Sequence, residues 1–285
     1  MRNEFSEARG KDPMSLFSIR KDKGIAERSI QPPAAPKGFI RTTEFDERDI
    51  FVAGYPKSGN TWFQDLIVGC VYGVRLEYCS SVLTQELVPD LHYKEYYQRY
   101  RTPMFFKTHH LPRPEFKRVV YLLRDGRDVM VSYLHHKQAM EGQTADFMKM
   151  VTSNELFPCP WHEHVNAWRR NPYGAEILTI KFEDLKRDAT AELVRFCKFS
   201  GLERERGFLE EVAGAADFDK MQRREKEEAE RLKTGWPKDK LFRRRGDMGS
   251  YQDEMPEEVQ AAFLDRAGET LLECGYLDKN PAHPR

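Results

Sequence analysis

The sequence has no hydrophobic run long enough to cross a membrane. Its longest apolar stretch is Leu66–Val74, far short of the roughly 20 residues that a bilayer-spanning helix requires. The N-terminal segment Met1–Pro13 also lacks the apolar core of a secretory signal peptide. We therefore expect a cytoplasmic protein that has no membrane partner.

Cysteine is scarce and scattered along the chain. The five cysteines are Cys70, Cys79, Cys159, Cys197 and Cys274. An odd number of thiols without any C-x-x-C pair is atypical of a disulfide framework or a zinc site. The pattern predicts reduced thiols in a cytosolic protein and no metal centre.

Net charge is absent, because 46 Lys and Arg residues balance 46 Asp and Glu residues. Bulk electrostatic attraction therefore does not recruit a polyanion, and we expect no nucleic-acid partner. Any anion site in this chain has to be built locally. The composition, with 40% hydrophobic and 32% charged residues, excludes wholesale disorder.

The chain divides into a polar tail and one folded domain. Residues 1–40 mix charges with glycine and proline and end in the proline-rich segment Gln31–Pro36, which predicts a flexible tail or lid. Across residues 41–285, short apolar segments alternate with helical patterns. This alternation predicts a single α/β domain with a central parallel sheet flanked by helices. We expect strands at 49–53, 104–107, 119–123 and 176–180, and helices at 61–74, 126–137, 190–199 and 256–274.

The loop after the first predicted strand has the spacing of a phosphate-binding loop. Gly54–Gly59 keeps the G-x-x-x-x-G skeleton, but Asn60 and Thr61 replace the usual Lys-Ser/Thr, and Lys57 lies inside the loop. Backbone N–H groups at a helix start still form an anion cradle, with the Ser58 and Thr61 hydroxyls as extra donors. The loop is P-loop-like without being that of an ordinary ATPase or GTPase. The alternative is a plain turn with a solvated lysine.

Two further strand ends carry cations and a titratable base. Lys107 and His109 follow the second predicted strand, and histidine accepts a proton near neutral pH. Arg124 follows the third strand, where its guanidinium can bind a phosphate, and Ser132 lies in the next helix. The alternatives are a structural histidine and an exposed arginine beside an ordinary helix start. Because ligands bind at the carboxyl ends of parallel strands, we expect these residues to share one site.

A basic segment lies near the C-terminus, between Lys220 and Arg245. Much of Lys220–Leu232 is expected to be a solvated face. The run Arg243-Arg244-Arg245 differs, because Gly246 follows it and permits close approach of the backbone to a ligand.

These segments resemble motifs of the cytosolic sulfotransferases. Tyr55–Trp62 is similar to the family's 5′-phosphosulfate loop, YPKSGTTW, with Asn60 as the one departure. Lys107–Pro112 resembles the KTHLP motif, whose histidine is the general base. One additional residue stands before Leu-Pro, so counting from the strand selects His109, which we favour, and counting back from the loop selects His110.

The remaining motifs follow in the order that the family has them. Arg124 and Ser132 keep the spacing of the 3′-phosphate segment, RNPKDVxVSY, and Arg244–Gly249 resembles the RKGxxGDW element. Phe218 and Met221 match the SFxxM segment, whose aromatic ring packs on adenine. Phe182 stands at the tyrosine of YEDMK and lacks its hydroxyl. The donor-site residues implied by the resemblance are Lys57, Ser58, Gly59, Asn60, Thr61, Trp62, Arg124, Ser132, Phe182, Phe218, Met221, Arg244, Arg245 and Gly246.

The resemblance implies an enzyme that uses 3′-phosphoadenosine-5′-phosphosulfate (PAPS) and releases adenosine 3′,5′-bisphosphate (PAP). The sulfuryl group would pass in line to a hydroxyl or amine of a small organic acceptor, with His109 as general base. Lys57 and Lys107 would stabilise the developing charge without a metal. Trp62 and Phe218 would sandwich the adenine; the alternative for Trp62 is a core residue.

The acceptor site is less sharply defined by the sequence. Its candidate lining residues are Tyr93, Tyr96, Tyr97, His110, Phe157 and Trp161, although aromatics in these segments equally suit helix packing. The nearby acids Asp90, Glu95, Asp146 and Glu155 equally suit a cationic acceptor. The family's dimer motif, KxxxTVxxxE, is absent, since Gln252–Ala261 reads QDEMPEEVQA. We expect a monomer, or a dimer built on another surface.

Two other functions compete with sulfuryl transfer. A P-loop-type nucleotide-dependent kinase would use the same fold and phosphate cradle. A non-catalytic nucleotide-binding homologue would keep the cradle without turnover. The presence of Lys57, Lys107 and His109 favours the enzyme.

Overall fold

The structure is a computed structural model that describes residues 35–141, 145–231 and 244–278. Its strands are β1 (Ile40–Arg41), β2 (Ile50–Gly54), β3 (Tyr96–Tyr97), β4 (Phe105–Thr108), β5 (Arg118–Leu123) and β6 (Glu176–Lys181). Four of them form a parallel sheet in the order β4-β2-β5-β6. The short strands β1 and β3 pair with each other in antiparallel fashion.

The helices lie between these strands and after them. They are α1 (Asn60–Tyr72), α2 (Ser81–Leu87), α3 (Gly126–Glu141), α4 (Phe147–Thr152), α5 (Trp161–Arg170), α6 (Phe182–Arg187), α7 (Ala189–Ser200), α8 (Arg206–Ala215), α9 (Phe218–Arg231), α10 (Tyr251–Glu254) and α11 (Glu257–Glu273). A single 3₁₀ turn spans Leu76–Tyr78. None of the described helices is long and apolar enough to cross a membrane.

Helices cover both faces of the central sheet because successive strand residues point to opposite sides. Phe51 and Ala53 of β2 belong to a core that includes residues of α3, α5 and α11. Ile50 and Val52 belong to a second core shared with α1, α7 and α8. The predicted fold, a parallel sheet flanked by helices, is confirmed.

The predicted elements are present with small changes at their ends. Each predicted strand is found within one residue of the expected bounds. Helix α1 ends at Tyr72 rather than residue 74, because Gly73 adopts a left-handed conformation with φ of 67°. Pro256 precedes α11 as its N-cap rather than lying in its first turn. Helices α4 and α5 lie in an aromatic-rich segment where we had predicted acceptor-lining residues, with helix packing as the alternative.

The strand order places two loops side by side at the centre of the sheet. From β2 the chain crosses to β4 on one side, and from β5 it crosses to β6 on the other. The loops after β2 and β5 therefore meet at the topological switch point, where α/β sheets bind ligands. Most of the predicted tail lies outside the described residues, and Ile40, which we had placed in it, is paired in β1.

Candidate active site

A cavity of about 820 Å³ lies at the carboxyl ends of the central strands. The loops after β2, β4 and β5 all contribute residues to its wall, as do α3 and the segment that precedes α10. The expectation that the motif residues share one site is supported by this arrangement, since Lys57, Lys107, His109 and Arg124 all line the cavity.

The loop after β2 is braced from within by its own backbone and side chains. Gly59 has φ of 93° and directly precedes α1, so the loop turns sharply into the helix. The Asn60 amide donates to the Tyr55 carbonyl oxygen at 2.8 Å. Lys57 also has a positive φ, 72°, and lines the cavity. Ser58 is buried, so its hydroxyl is not among the described groups that face the cavity.

Arg124, at the end of β5, links three parts of the wall. Its terminal nitrogens donate to the Lys57 carbonyl oxygen at 3.1 Å and to the Asp247 carbonyl oxygen at 2.8 Å. The guanidinium lies over the Phe182 ring, 4.2 Å from its centroid. Its Nε is buried and has no hydrogen-bond partner among the described residues. These contacts hold the guanidinium in place and use two of its five N–H groups.

The segment before α10 is anchored to α3. The Asp128 carboxylate accepts hydrogen bonds from the backbone N–H groups of Gly249 and Tyr251, at 2.8 and 3.0 Å. Gly246 lies so close to Phe218 that a Cβ there would stand 2.4 Å from the ring. Glycine is therefore required at this position. Arg244 and Arg245 line the cavity, whereas Arg243 lies outside the described residues.

Aromatic side chains form a further part of the cavity wall. The Trp62 indole N–H donates to the Ala216 carbonyl oxygen at 2.9 Å, which fixes its ring, and Phe182 meets that ring edge-on. Phe218 lines the cavity, with the Lys186 ammonium 5.4 Å from its ring centroid. Met221 is buried beneath the same wall. Ser132 contributes to the cavity from α3.

Lys107 is held by a buried ion pair. Its ammonium lies 2.9 Å from the Asp90 carboxylate and 3.3 Å from the Thr61 hydroxyl oxygen. Asp90 is fully buried, and Lys107 is 6% exposed. Burial alone would raise the pKa of Asp90, but the nearby Lys107 ammonium and His109 outweigh it and lower that pKa.

His109 is fixed in one tautomer by its backbone neighbours. Its Nδ1 lies 2.7 Å from the Gly54 carbonyl oxygen, which only accepts, so Nδ1 carries the proton. The Nε2 atom is therefore the proton acceptor. The backbone N–H of His109 donates to His92 Nε2 at 2.9 Å. Burial and the Lys107 charge lower the pKa of His109 to about 3, so the ring is neutral at pH 7.

His110 occupies a different environment. Its ring lies 4.2 Å from that of His92, and its carbonyl oxygen accepts from the Trp168 indole N–H at 3.1 Å. Unlike His109, it is not one of the described residues that line the cavity. Both histidines follow the end of β4, and the rings of both lie beside His92, but only His109 lines the described cavity.

Comparison with known proteins now decides the family. A family model described as "Sulfotransferase domain" matches residues 47–275, most of the chain. The chain belongs to the sulfotransferase family. It is 26% identical over 204 residues to sulfotransferase 1C2 of Oryctolagus cuniculus, covering 65% of this chain and 69% of that protein. It is 27% identical over 272 residues to flavonol 3-sulfotransferase of Flaveria bidentis, covering 81% and 86%.

A solved structure agrees in fold with this sulfotransferase. Retinol dehydratase in a complex with retinol and PAP matches with a TM-score of 0.63 and 20% identity, over 85% of this chain and 84% of that one. At this identity the likeness establishes the fold alone.

Only some of the residues that the sequence predicted for the acceptor site line the cavity. Tyr93 and Phe157 line the cavity, as expected. Tyr97 and Trp161 are not among the lining residues and instead belong to the hydrophobic core shared with α3, α5 and α11. Tyr96 pairs with Arg41 between β1 and β3 instead. Tyr96, Tyr97, Trp161 and His110 are thus not among the described residues that line this cavity, and their role in acceptor binding stays a prediction.

The acidic residues also fall into different roles. The Asp90 carboxylate forms an ion pair with Lys107. The Asp146 side chain caps α4 by accepting a hydrogen bond from the backbone N–H of Lys149. Glu155 alone of the four predicted acids lines the described cavity. The sequence reasoning missed His92, which lines the cavity and contacts His109. The only sequence signal for it was its place two residues after Asp90.

Proposed function

We propose that this chain transfers the sulfuryl group of PAPS in line to a hydroxyl or amine of a small organic acceptor, with His109 as general base. The observation that carries the proposal is the single cavity in which His109, two lysines and the phosphate-type loop come together. A volume of about 820 Å³ is enough for a nucleotide and a small second molecule.

The described residues fit this nucleotide. The loop after β2 presents a helix start and Lys57 to an anion. Arg124 lines the cavity, and its buried Nε donor has no hydrogen-bond partner among the described residues. Gly246 leaves room for the Phe218 ring at the cavity wall, where an adenine can stack. We assign the 5′-phosphosulfate to Lys57–Trp62 and the 3′-phosphate to Arg124, Ser132, Arg244 and Arg245.

PAPS supplies the activated sulfuryl group when bound. The residues of the chain then have two tasks. His109 Nε2 takes the acceptor proton, since Nδ1 is committed to the Gly54 carbonyl oxygen. Lys57 and Lys107 stabilise the negative charge that develops on the transferred group and on the leaving phosphate.

Selectivity for the donor follows from the cations around the 3′-phosphate. A nucleotide without that phosphate would leave the remaining N–H groups of Arg124, Arg244 and Arg245 without an anionic partner in the cavity, which would weaken its binding. We assign the acceptor to the side of the cavity formed by Tyr93 and Phe157, with His92 beside the base. Its apolar wall suits a small aromatic or aliphatic alcohol, phenol or amine.

The test is a titration with PAP and, separately, with ATP and magnesium, followed by labelled PAPS with a panel of alcohols, phenols and amines. We expect PAP to bind without added metal and label to reach an acceptor. Preferential binding of ATP with magnesium would favour the kinase. Tight PAP binding without label transfer to any acceptor would favour the non-catalytic homologue.

A further inference from the structure

A carboxylate that the sequence motifs do not include joins the basic segment to α3. Glu254, at the end of α10, accepts from Arg244 at 2.7 Å and from Arg245 at 3.1 Å through the same oxygen, Oε1. Its other oxygen lies 2.7 Å from His135 Nε2. One side chain therefore contacts both arginines assigned to the 3′-phosphate.

Glu254 acts from behind the arginines rather than from within the cavity. Arg244 and Arg245 line the cavity, whereas Glu254 is not among its described lining residues and its side chain is 18% exposed. Each guanidinium has five N–H groups, and a single terminal nitrogen of each donates to Glu254. The other N–H groups remain able to reach an anion in the cavity.

The contact with His135 connects this pair to the rest of the phosphate site. His135 lies on α3, one turn beyond Ser132, and Asp128 on the same helix holds the backbone at Gly249 and Tyr251. Arg124 holds the Asp247 carbonyl oxygen. Glu254 thus completes a set of contacts that positions Arg244 and Arg245 relative to Ser132 and Arg124.

We propose that Glu254 is a positioning residue for 3′-phosphate recognition, which holds the guanidinium groups of Arg244 and Arg245 in place before the nucleotide binds. The inference rests on the proposed function. Long arginine side chains lose rotamer freedom when they bind a phosphate, and a preformed ion pair removes much of that entropic cost beforehand. The carboxylate of Glu254 is ionised for this role: burial opposes ionisation, but its bonds to Arg244 and His135 lower its pKa.

The test compares Glu254→Gln with Asp253→Asn, a matched control that removes an exposed carboxylate from the preceding residue. Calorimetry is carried out with PAP and with adenosine 5′-phosphosulfate, which has no 3′-phosphate. We expect Glu254→Gln to weaken PAP binding roughly tenfold, the scale of one hydrogen bond. Its binding of adenosine 5′-phosphosulfate stays unchanged, and Asp253→Asn behaves as wild type with both ligands. In turnover, the KM for PAPS rises while kcat is retained, which a general loss of structure would not produce.

Unchanged PAP affinity in Glu254→Gln would overturn the inference, and tighter binding would show that the carboxylate competes with the phosphate instead. If Glu254→Gln fails to fold, His135→Ala removes the third contact and should shift PAP affinity in the same direction by a smaller factor. A wild-type chain that does not prefer PAP would overturn the proposed function together with this inference. If the wild-type chain prefers PAP but the variants bind PAP with wild-type affinity, only the inference is overturned.

Discussion

The two sides of the cavity are built in different ways. On the donor side, the phosphate-type loop and Arg124 directly follow β2 and β5, so residues adjacent to the sheet form the wall. On the acceptor side, His92, Tyr93 and Phe157 come from segments between the motifs. The segment that carries His92 and Tyr93 is attached to β4 by a parallel backbone bridge between Asp90 and Lys107, by the ion pair of the same two residues and by the His92–His109 contact.

This difference explains why short sequence motifs predict the residues on the donor side but not those on the acceptor side. A loop that directly follows a buried strand is placed by that strand, so its residues occupy the site wherever the strand forms. A segment attached through a few polar contacts depends on those contacts for its position. The acceptor wall should therefore be the more sensitive of the two to single substitutions and to pH.

The largest effect is expected at His109, where the two sides meet. His109→Ala removes the proton acceptor, and the loss of a general base typically lowers the rate by about 10² to 10⁴. PAP binding should be retained, because Arg124 and the loop after β2 are untouched. Steady-state kinetics and PAP calorimetry on the same preparation measure the two quantities.

His110→Ala is the matched control for that variant. Because His110 does not line the described cavity, its kcat should stay within roughly one order of magnitude of wild type. If His110→Ala loses most of its kcat while His109→Ala stays active, the general base is His110 and not His109.

The next largest effect, a loss of stability, is expected when the ion pair between Asp90 and Lys107 is broken. Asp90→Asn leaves the nearly buried Lys107 ammonium without its carboxylate, and breaking such a pair typically costs about 3–5 kcal/mol of stability. Chemical denaturation measures that loss. PAP affinity should change less than the acceptor KM, since PAP contacts the donor side.

Glu86→Gln provides the comparison for Asp90→Asn. Glu86 pairs with Lys94 in the same part of the chain, but both side chains are about one-third exposed. An exposed pair contributes only about 0–1 kcal/mol. Equal losses in the two variants would mean that the Asp90 ion pair does not anchor the acceptor wall.

A smaller effect, confined to the donor side, is expected at Arg124. Arg124→Ala should weaken PAP binding by about 1.5–3 kcal/mol, the usual contribution of a hydrogen bond to a charged group. Binding of adenosine 5′-phosphosulfate should hardly change. Arg169→Ala, which removes an exposed arginine far along α5, serves as the control. Equal losses for both ligands would argue that Arg124 supports the loops at Lys57 and Asp247 rather than the 3′-phosphate.

The smallest effect near neutral pH is expected from four histidines: His109 and His110 after β4, His136 on α3 and His164, which is buried on α5. Burial lowers the pKa of His109, His110 and His136 to about 3 and that of His164 to about 4. The unfolded chain binds these protons near pH 6.5 while the folded chain does not, so stability is lost as the pH falls. By pH 6.5 the free energy of unfolding has fallen by about 0.4 kcal/mol per histidine relative to high pH, and the loss grows towards pH 4.

Denaturation curves at several pH values measure this loss, and His164→Gln should flatten the profile. A stability that rises as the pH falls from 7.5 to 5 would contradict the pKa directions. Donor binding, followed with PAP at the same pH values, should decline only where the fold itself is lost.

The sequence by itself determined the parallel sheet, the order of the motifs and the strand-end residues that line the cavity. Short apolar segments that alternate with helical patterns specify the strands. A residue next to a strand end is placed by that strand, because only a few backbone bonds separate the two. For this reason Lys57, Lys107, His109 and Arg124 could be assigned to one site without a structure.

Only the tertiary structure decided which aromatics face the cavity, that Asp90 pairs with Lys107, and which nitrogen of His109 accepts the proton. It also showed that Glu254 accepts hydrogen bonds from Arg244 and Arg245. Each of these depends on a partner brought close by folding: Tyr97 is turned into the core by Phe106, and the His109 tautomer is set by the Gly54 carbonyl. Side-chain direction and burial are properties of such long-range contacts, and no local spacing encodes them.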